Sequence, residues 1–482
     1  MLIKSARIEE YGFICSGILY LSRQNDILPF MSASKLIYNY TSGNIWTQLI
    51  RFSLPFMLSN ALQVLYGLVD MIIVGQFVGS AGLSAVSIAS QVFMFIVMLC
   101  IGFSNGGQVL IAQYVGSNQK RKLNSTIGTL FSLLFIIGAV MTVVGLLFGS
   151  AILRLLNTPQ ASYSMAVDYM FICSIGVLFS YGYNAVSAIL RGMGDSKHPF
   201  IFILIASVLN IVLDLLFIGV FKWKAAGAAL ATIIGQGVSF IFAIIYLYHR
   251  KESFGFDFKM QSFRIDAKSR DLLVRLGLPF AAQSCAINIS MLFVNALVNS
   301  LGVYASATFG VGIKIDDIVN KITLGIGYAT STMCAQNIGA KEYDRTRQVV
   351  YVSLLYQAVC YALFTVVYLK FTREIFGIFT NDIQVLDLSR LFVTAIVWGF
   401  PGMIMMRAAN GIIRGSGNAR LGLVFGLLDA FVFRIGLSWL LGTVCGFGLY
   451  GYFLGYGIAA YGTGIPGCIY FLSNRWEKFR LI

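Results

Sequence analysis

Between residues 49 and 473 long apolar runs alternate with short polar, mostly basic connections. The runs fall near 49–76, 84–112, 126–149, 163–190, 199–220 and 226–248. A charged stretch from His249 to Arg270 interrupts the pattern, and runs resume near 272–298, 307–335, 348–370, 386–413, 420–443 and 449–473. Each is long enough to cross a hydrocarbon layer of about 30 Å as a helix. In lipid a helix satisfies every backbone polar group within its own segment, so twelve apolar runs predict twelve transmembrane helices. The expected fold is an all-α integral membrane protein.

The two groups of six are related. Leu49-Ile50-Arg51-Phe52-Ser53-Leu54-Pro55-Phe56 parallels Leu273-Val274-Arg275-Leu276-Gly277-Leu278-Pro279-Phe280. Ala112-Gln113-Tyr114-Val115-Gly116 parallels Ala335-Gln336-Asn337-Ile338-Gly339, and Leu190-Arg191-Gly192-Met193-Gly194-Asp195 parallels Ile413-Arg414-Gly415-Ser416-Gly417-Asn418. The last two pairs share one offset, 414 − 191 = 336 − 113 = 223, and the first differs by one. An even number of spans per repeat makes both halves enter the membrane from the same side. Parallel repeats of this kind are a transporter plan, with a substrate path between the halves.

Composition agrees: residues of the AVILMFWYC set make up 58% and charged residues 11% of the chain, so lipid is the principal solvent. The net charge of +15 does not point to nucleic acid, because the basic residues fall in connections on one side: Lys120–Lys122, Arg191 and Lys197, the linker, Lys341, Arg345 and Arg347, Arg414 and Arg420, and Arg475 onward. The positive-inside rule places that side, and both termini, in the cytoplasm. The division expected is a leader over 1–45, an N-half over 46–249, a linker over 250–270, a C-half over 271–474 and a tail over 475–482. Tyr11–Leu21 is apolar but too short to span, and Met31 opens a more ordinary leader. Eight cysteines without CxxC spacing read as small core residues, and the two histidines, His198 and His249, make no zinc centre.

Ionisable groups inside spans are functional candidates by default. Asp70 shares a helical face with Tyr66 and Gln63, four and seven residues earlier. Asn210 and Asp214 form an i,i+4 pair in the fifth run. Two neighbouring carboxylates in lipid disfavour the doubly charged state, as a reversible proton carrier requires; the same oxygens, with Thr232, suit Na⁺. Structural readings stay open: a hydrogen-bonded acid for Asp70, helix-packing polar pairs for Asn210–Asp214, Asn184 and Thr232. The C-half brings Lys314, Asp316, Asp317, Lys321, Arg407, Asp429 and Arg434; Lys314–Asp317 and Asp317–Lys321 have ion-pair spacing, and Lys314, Asp317 and Arg407 join Gln63 as substrate-cavity candidates. The Arg-Gly-x-Gly turns lack a Walker pattern, which excludes a nucleotide site there, and read as tight turns with anchoring arginines.

Pro55-Phe56-Met57 leading into Leu65-Tyr66-Gly67-Leu68-Val69-Asp70-Met71-Ile72-Ile73-Val74-Gly75 resembles the first span of multidrug and toxic compound extrusion (MATE) transporters. So do Ile189-Leu190-Arg191-Gly192-Met193-Gly194-Asp195 and Asn210-Ile211-Val212-Leu213-Asp214, and the resemblance covers the chain from about Trp46 to its end. It implies two pseudo-symmetric six-helix lobes forming a V, and antiport of cationic amphipathic compounds against H⁺ or Na⁺ with no other cofactor. In the DinF-like branch, the resemblance implies coupling at positions matching Asp70, Tyr66, Asn210, Asp214 and Thr232, with Pro55 as the bending point; Asn184 is placed beside them. NorM-type members carry acids in spans 7 and 10, where this chain has Ile287 and Met403, so the DinF-like branch is the nearer match. The expectation is a monomeric, multi-pass protein of a bacterial plasma (inner) membrane. Alternatives are a lipid-linked oligosaccharide flippase, which would use the C-half cations, and a membrane enzyme, for which no catalytic constellation is present.

Overall fold

The computed structural model describes residues 37–254, 256–479 and 481–482. Tyr11–Leu21 and Met31 lie outside the described residues. The described chain is helical throughout, with no strands.

The N-half is built from α1 (Ile45–Val78), α2 (Ser80–Gly116), α3 (Lys120–Leu155), α4 (Gln160–Gly192), α5 (Lys197–Asp214, continued by a π-helical stretch Leu215–Val220) and α6 (Lys224–His249). The C-half repeats this with α7 (Ala267–Asn299), α8 (Val303–Gly339), α9 (Tyr343–Lys370), α10 (Ile383–Val397 and Phe400–Ser416), α11 (Ala419–Val444, widened over Leu428–Ile435 and Leu440–Val444) and α12 (Gly448–Ile458 and Tyr461–Leu472). Nine of these are long and apolar enough to cross a membrane, ten with the two segments of α10 taken together. Of the other two, α8 carries Lys314, Asp316, Asp317 and Lys321 near its middle, and α12 is interrupted at Ala459–Ala460.

The tenth apolar run was expected as one straight span. Its two segments instead meet at 46°. Pro401 stands in the first turn of the second segment and has no N–H to continue the ladder from Val397. α1, by contrast, runs unbroken through Pro55.

The halves are joined on the linker side by reciprocal contacts that follow the sequence repeat. Gln113 Nε2 donates to Gly415 O (2.8 Å), and Gln336 Nε2 donates to Gly192 O (3.3 Å). The C-terminal ends of α2 and α8 cross at backbone contact: a Cβ on Gly116 would lie 1.9 Å from Gln336 O, and one on Gly339 would lie 2.2 Å from Gln113 O. Each arginine of the Arg-Gly-x-Gly turns lies over a ring, Arg191 over Phe56 and Arg414 over Phe280.

Tyr40, just before α1, bridges the same junction. Its hydroxyl donates to Gly194 O (2.8 Å) in the N-half; its N–H donates to Gln336 Oε1 (3.0 Å), and its carbonyl accepts from Arg345 Nε (2.8 Å), in the C-half. Around it lies an apolar core that includes Leu49, Phe52, Met333, Ile412 and Trp476 of the tail. Asp195, at the turn before α5, accepts from His198 N and contacts His198 Nδ1 at 2.6 Å, so this histidine is a buried partner of the turn.

Gly116→Ala should therefore destabilise the protein by about 1–3 kcal/mol, the usual penalty for forcing atoms into a filled space. Gly75→Ala, at a helical position with nothing within 4 Å of the added methyl, should not. Thermal unfolding of the two variants in detergent separates them.

Candidate functional site

The N-half site forms where α1, α4, α5 and α6 meet. Gly235 of α6 lets α5 approach closely: a Cβ there would stand 3.1 Å from Ala206 O and 3.5 Å from Asn210 Cβ. The helices enclose a cavity of about 210 Å³ lined by Gln63, Tyr66, Asn184, Asn210 and Thr232, together with Ser180, Tyr183, Ser207, Gln236 and Ser239. No charged side chain is among its lining residues. Asn184 Nδ2 donates to Ser180 O one turn back (2.8 Å), and the Ser180 hydroxyl meets Gln236 Oε1.

Asp70 and Asp214 lie one helical turn beyond Tyr66 and Asn210, on the side away from the linker. Their carboxyl groups face each other at hydrogen-bonding range, and Tyr66 stands near both. Asp214 is fully buried, Asn210 nearly so and Asp70 half-buried. Asp70 Oδ1, both oxygens of Asp214 and both side-chain polar atoms of Asn210 are buried, with no N–H or O–H of another residue type bonded to them among the described residues. The Tyr66–Asp70 hydrogen bond that their spacing allows is not formed among the described residues. Immediately after Asp214 the helix widens into Leu215–Val220, a distortion of the kind that gathers at functional sites.

Five such atoms gather at this one place. A buried polar atom without a partner costs about 1–3 kcal/mol, more for a charged group. A proton or small cation between the two carboxyls supplies what the side chains lack.

The C-half has a separate cavity of about 300 Å³, and several of its polar groups are paired. Asp316 is buried and accepts from Asn320 Nδ2 (2.8 Å) and from the Tyr456 hydroxyl (3.4 Å). Arg407 Nη2 donates to Asn320 Oδ1 (3.0 Å), and Arg434 Nη2 donates to Asp429 Oδ2 (2.8 Å). Lys321 pairs with Asp317 at 3.6 Å, as spacing suggested. Asp317 and Arg407 line this cavity; Lys314 is exposed, is absent from the lining and makes no ion pair among the described residues. Gln63 lines the N-half cavity instead. Ile287 and Met403 face the C-half cavity as apolar wall.

Sequence reasoning did not single out Ser180, Gln236 and Ser239 in the N-half or Asn320, Tyr456 and Gln283 in the C-half. A signal existed for some of them. Ser180–Asn184, Thr232–Gln236 and Asp316–Asn320 are all i,i+4 polar pairs inside apolar runs, the same spacing that drew attention to Asn210–Asp214.

The fold and the two intramembrane polar clusters define a multi-pass helical membrane transporter. The sequence pattern of the MatE family matches residues 55–216 and again 279–440, so the repeat is two copies of one family unit. The chain belongs to the MatE family, which is a family of transporters and not of enzymes. It is 29% identical over 445 residues to a probable multidrug resistance protein, YpnP, of Bacillus subtilis, covering 92% of this chain and 98% of that protein. It is 26% identical over 444 residues to a probable multidrug resistance protein, NorM, of Thermotoga maritima, covering 89% and 93%. Among solved structures, a MOP superfamily transporter from Pyrococcus furiosus superposes with a TM-score of 0.86 at 21% identity, covering 91% of this chain and 98% of that one.

Removing one partner of the buried Asp429–Arg434 pair leaves a charge uncompensated. Asp429→Ala should destabilise by about 3 kcal/mol, the low end for breaking a buried pair, because Asp316 also lies near Arg434. Arg434→Met added to Asp429→Ala should recover much of that loss. Unfolding midpoints of single and double variants, compared in one detergent, check both outcomes.

Proposed function

We propose that this protein is a secondary antiporter for multidrug efflux, exporting cationic amphipathic compounds in exchange for inward H⁺ or Na⁺ through the N-half carboxylates. The observation that carries the reading is the facing pair Asp70–Asp214, whose buried oxygens have no donor and which adjoins a cavity lined by neutral polar groups. The multidrug resistance names of its relatives support the export half of the reading.

The coupling follows from electrostatics. With no ion bound, two like charges in a low-dielectric site repel, and an organic cation relieves the repulsion. A proton, or Na⁺ held by Asp70, Asp214, Asn210 and Thr232, neutralises the same site and removes the attraction for the drug. Drug and ion thus exclude one another. Each shifts the balance of conformations only by its differential affinity, a few kcal/mol in usual cases. Pro55, whose missing N–H leaves α1 one backbone bond short, is the place where α1 yields as the packing around Asp70 changes. The linker-side junction closes one face. Positive-inside placement makes that face cytoplasmic. The protein works as a monomer, with both termini in the cytoplasm of a bacterial cell.

The flippase reading would rest on the C-half cations. Of the four cations it would use, Lys321 and Arg434 are paired with aspartates, Lys314 lies outside the cavity lining, and Arg407 bonds to the neutral Asn320.

In vesicles loaded with a fluorescent cation, Asp70→Asn and Asp214→Asn should each cut gradient-driven efflux about tenfold or more while expression stays normal; a factor of ten is about 1.4 kcal/mol of lost coupling. Full transport by Asp70→Asn would sink the mechanism. Imposing a pH gradient or a Na⁺ gradient separately identifies the ion.

A further inference from the structure

The linker between the halves is held in place along its second part. Its short 3₁₀ turn, Met260–Phe263, lies against the first turns of α3. A Cβ on Gly128 would lie 1.8 Å from Ser262 O, the Ser132 hydroxyl donates to Phe263 O, and Asp266 N donates to Thr129 Oγ1 (3.1 Å). Rings fix it from both sides: Phe263 meets Phe131 of α3 and Phe256, and Phe258 meets Tyr248 at the end of α6.

These contacts set its depth. The apolar run of α3 begins near Thr126, and Ser132 lies six residues further in. That is about 9 Å along a helix. The turn therefore sits where headgroups meet acyl chains, the depth taken by interfacial segments and favoured by aromatic side chains.

What the linker leaves uncovered is amphipathic. Met260 is 88% exposed and Ile265 37%. Beside them Arg264 and Lys268 are exposed and make no ion pair among the described residues, and the same holds for Lys120 and Arg121 at the start of α3. Lys259 and Arg270 already have aspartates, Asp257 and Asp271. Asp266, near Lys268, is used as the cap of α7, accepting from Ser269 N (2.8 Å). Cations gathered around an exposed apolar side chain at this depth suit a lipid with a negative headgroup, which offers a phosphate to the cations and an acyl chain to Met260. A soluble acidic partner would meet the cations and leave Met260 without a contact in the bilayer.

We infer that the linker and the start of α3 form a docking surface for an anionic phospholipid of the leaflet on that side, its phosphate taken by Arg264 and Lys268 and its acyl chain lying along Met260. The inference is independent of coupling at Asp70 and Asp214, because lipid occupancy is read without a gradient.

Purified full-length protein in neutral detergent is titrated with tail-labelled fluorescent phosphatidylglycerol and phosphatidylcholine, alike but for the headgroup. The wild type should bind phosphatidylglycerol about tenfold tighter at low salt, a difference of about 1.4 kcal/mol. The preference should shrink as salt screens the cations. Arg264→Gln combined with Lys268→Gln should abolish most of it, with an unchanged unfolding midpoint because both side chains are exposed. Arg420→Gln combined with Arg475→Gln, at two exposed cations elsewhere on the linker side, should keep it. Met260→Ser should weaken both lipids alike and keep their ratio. Absence of a headgroup preference in the wild type overturns the inference, as does equal loss in the two double variants, which would mark diffuse charge and no site. Displacement of the labelled lipid by glycerol 1-phosphate or by polyglutamate at equal charge would mark a soluble anion or an acidic partner, and overturns it as well.

Discussion

The structure depends on one crossing. The C-terminal ends of α2 and α8 meet at backbone contact, Gly116 against Gln336 and Gly339 against Gln113. The same two glutamines then reach past the crossing to the opposite half's Arg-Gly-x-Gly turn, each donating to a glycine carbonyl. Two packed helices in lipid gain little from the hydrophobic effect, since lipid is as apolar as their own side chains. Close approach and hydrogen bonds must hold them instead. Glycine permits the approach, and a buried glutamine supplies a bond that lipid cannot replace. Tyr40 ties in the segment before α1, and the apolar core of the linker side is assembled around it.

From this symmetric junction the halves diverge in their chemistry. The widened helix after Asp214 in α5 has a counterpart in α11 at Leu440–Val444, close to the repeat offset. α11 carries a further widened stretch, Leu428–Ile435, with the Asp429–Arg434 pair inside it. Where the N-half has two acids facing each other without a donor, the C-half has alternating charges that satisfy most of one another. The first gathers carboxylates alone; the second interleaves both signs. One duplicated scaffold thus carries two polar sites of different electrostatic character.

Much of this was legible in the chain. Twelve apolar runs, the 223-residue register and the sidedness of the lysines and arginines come from local composition, and helices in lipid follow local composition closely because no alternative backbone pairing exists there. The gathering of Gln63, Tyr66, Asn184, Asn210 and Thr232 at one cavity followed from i,i+4 faces and the family resemblance. The bend in α10 was missed although Pro401 signals it, because apolarity alone does not distinguish one straight span from two joined ones.

The sequence by itself determined which segments cross the membrane, that they form two copies of one unit, and that buried acids stand in the first copy. Only the tertiary structure decided what those groups meet. Spacing places Asp317 equally near Lys314 and Lys321, but packing exposes one and pairs the other. Spacing could not show that Asp70 and Asp214, on helices far apart in the chain, face each other, or that Gln113 bonds to a turn 302 residues away. The helix is a local object whose period is written in the residues. The partner of a buried polar atom is set by how helices pack against one another, and that geometry has no period to read.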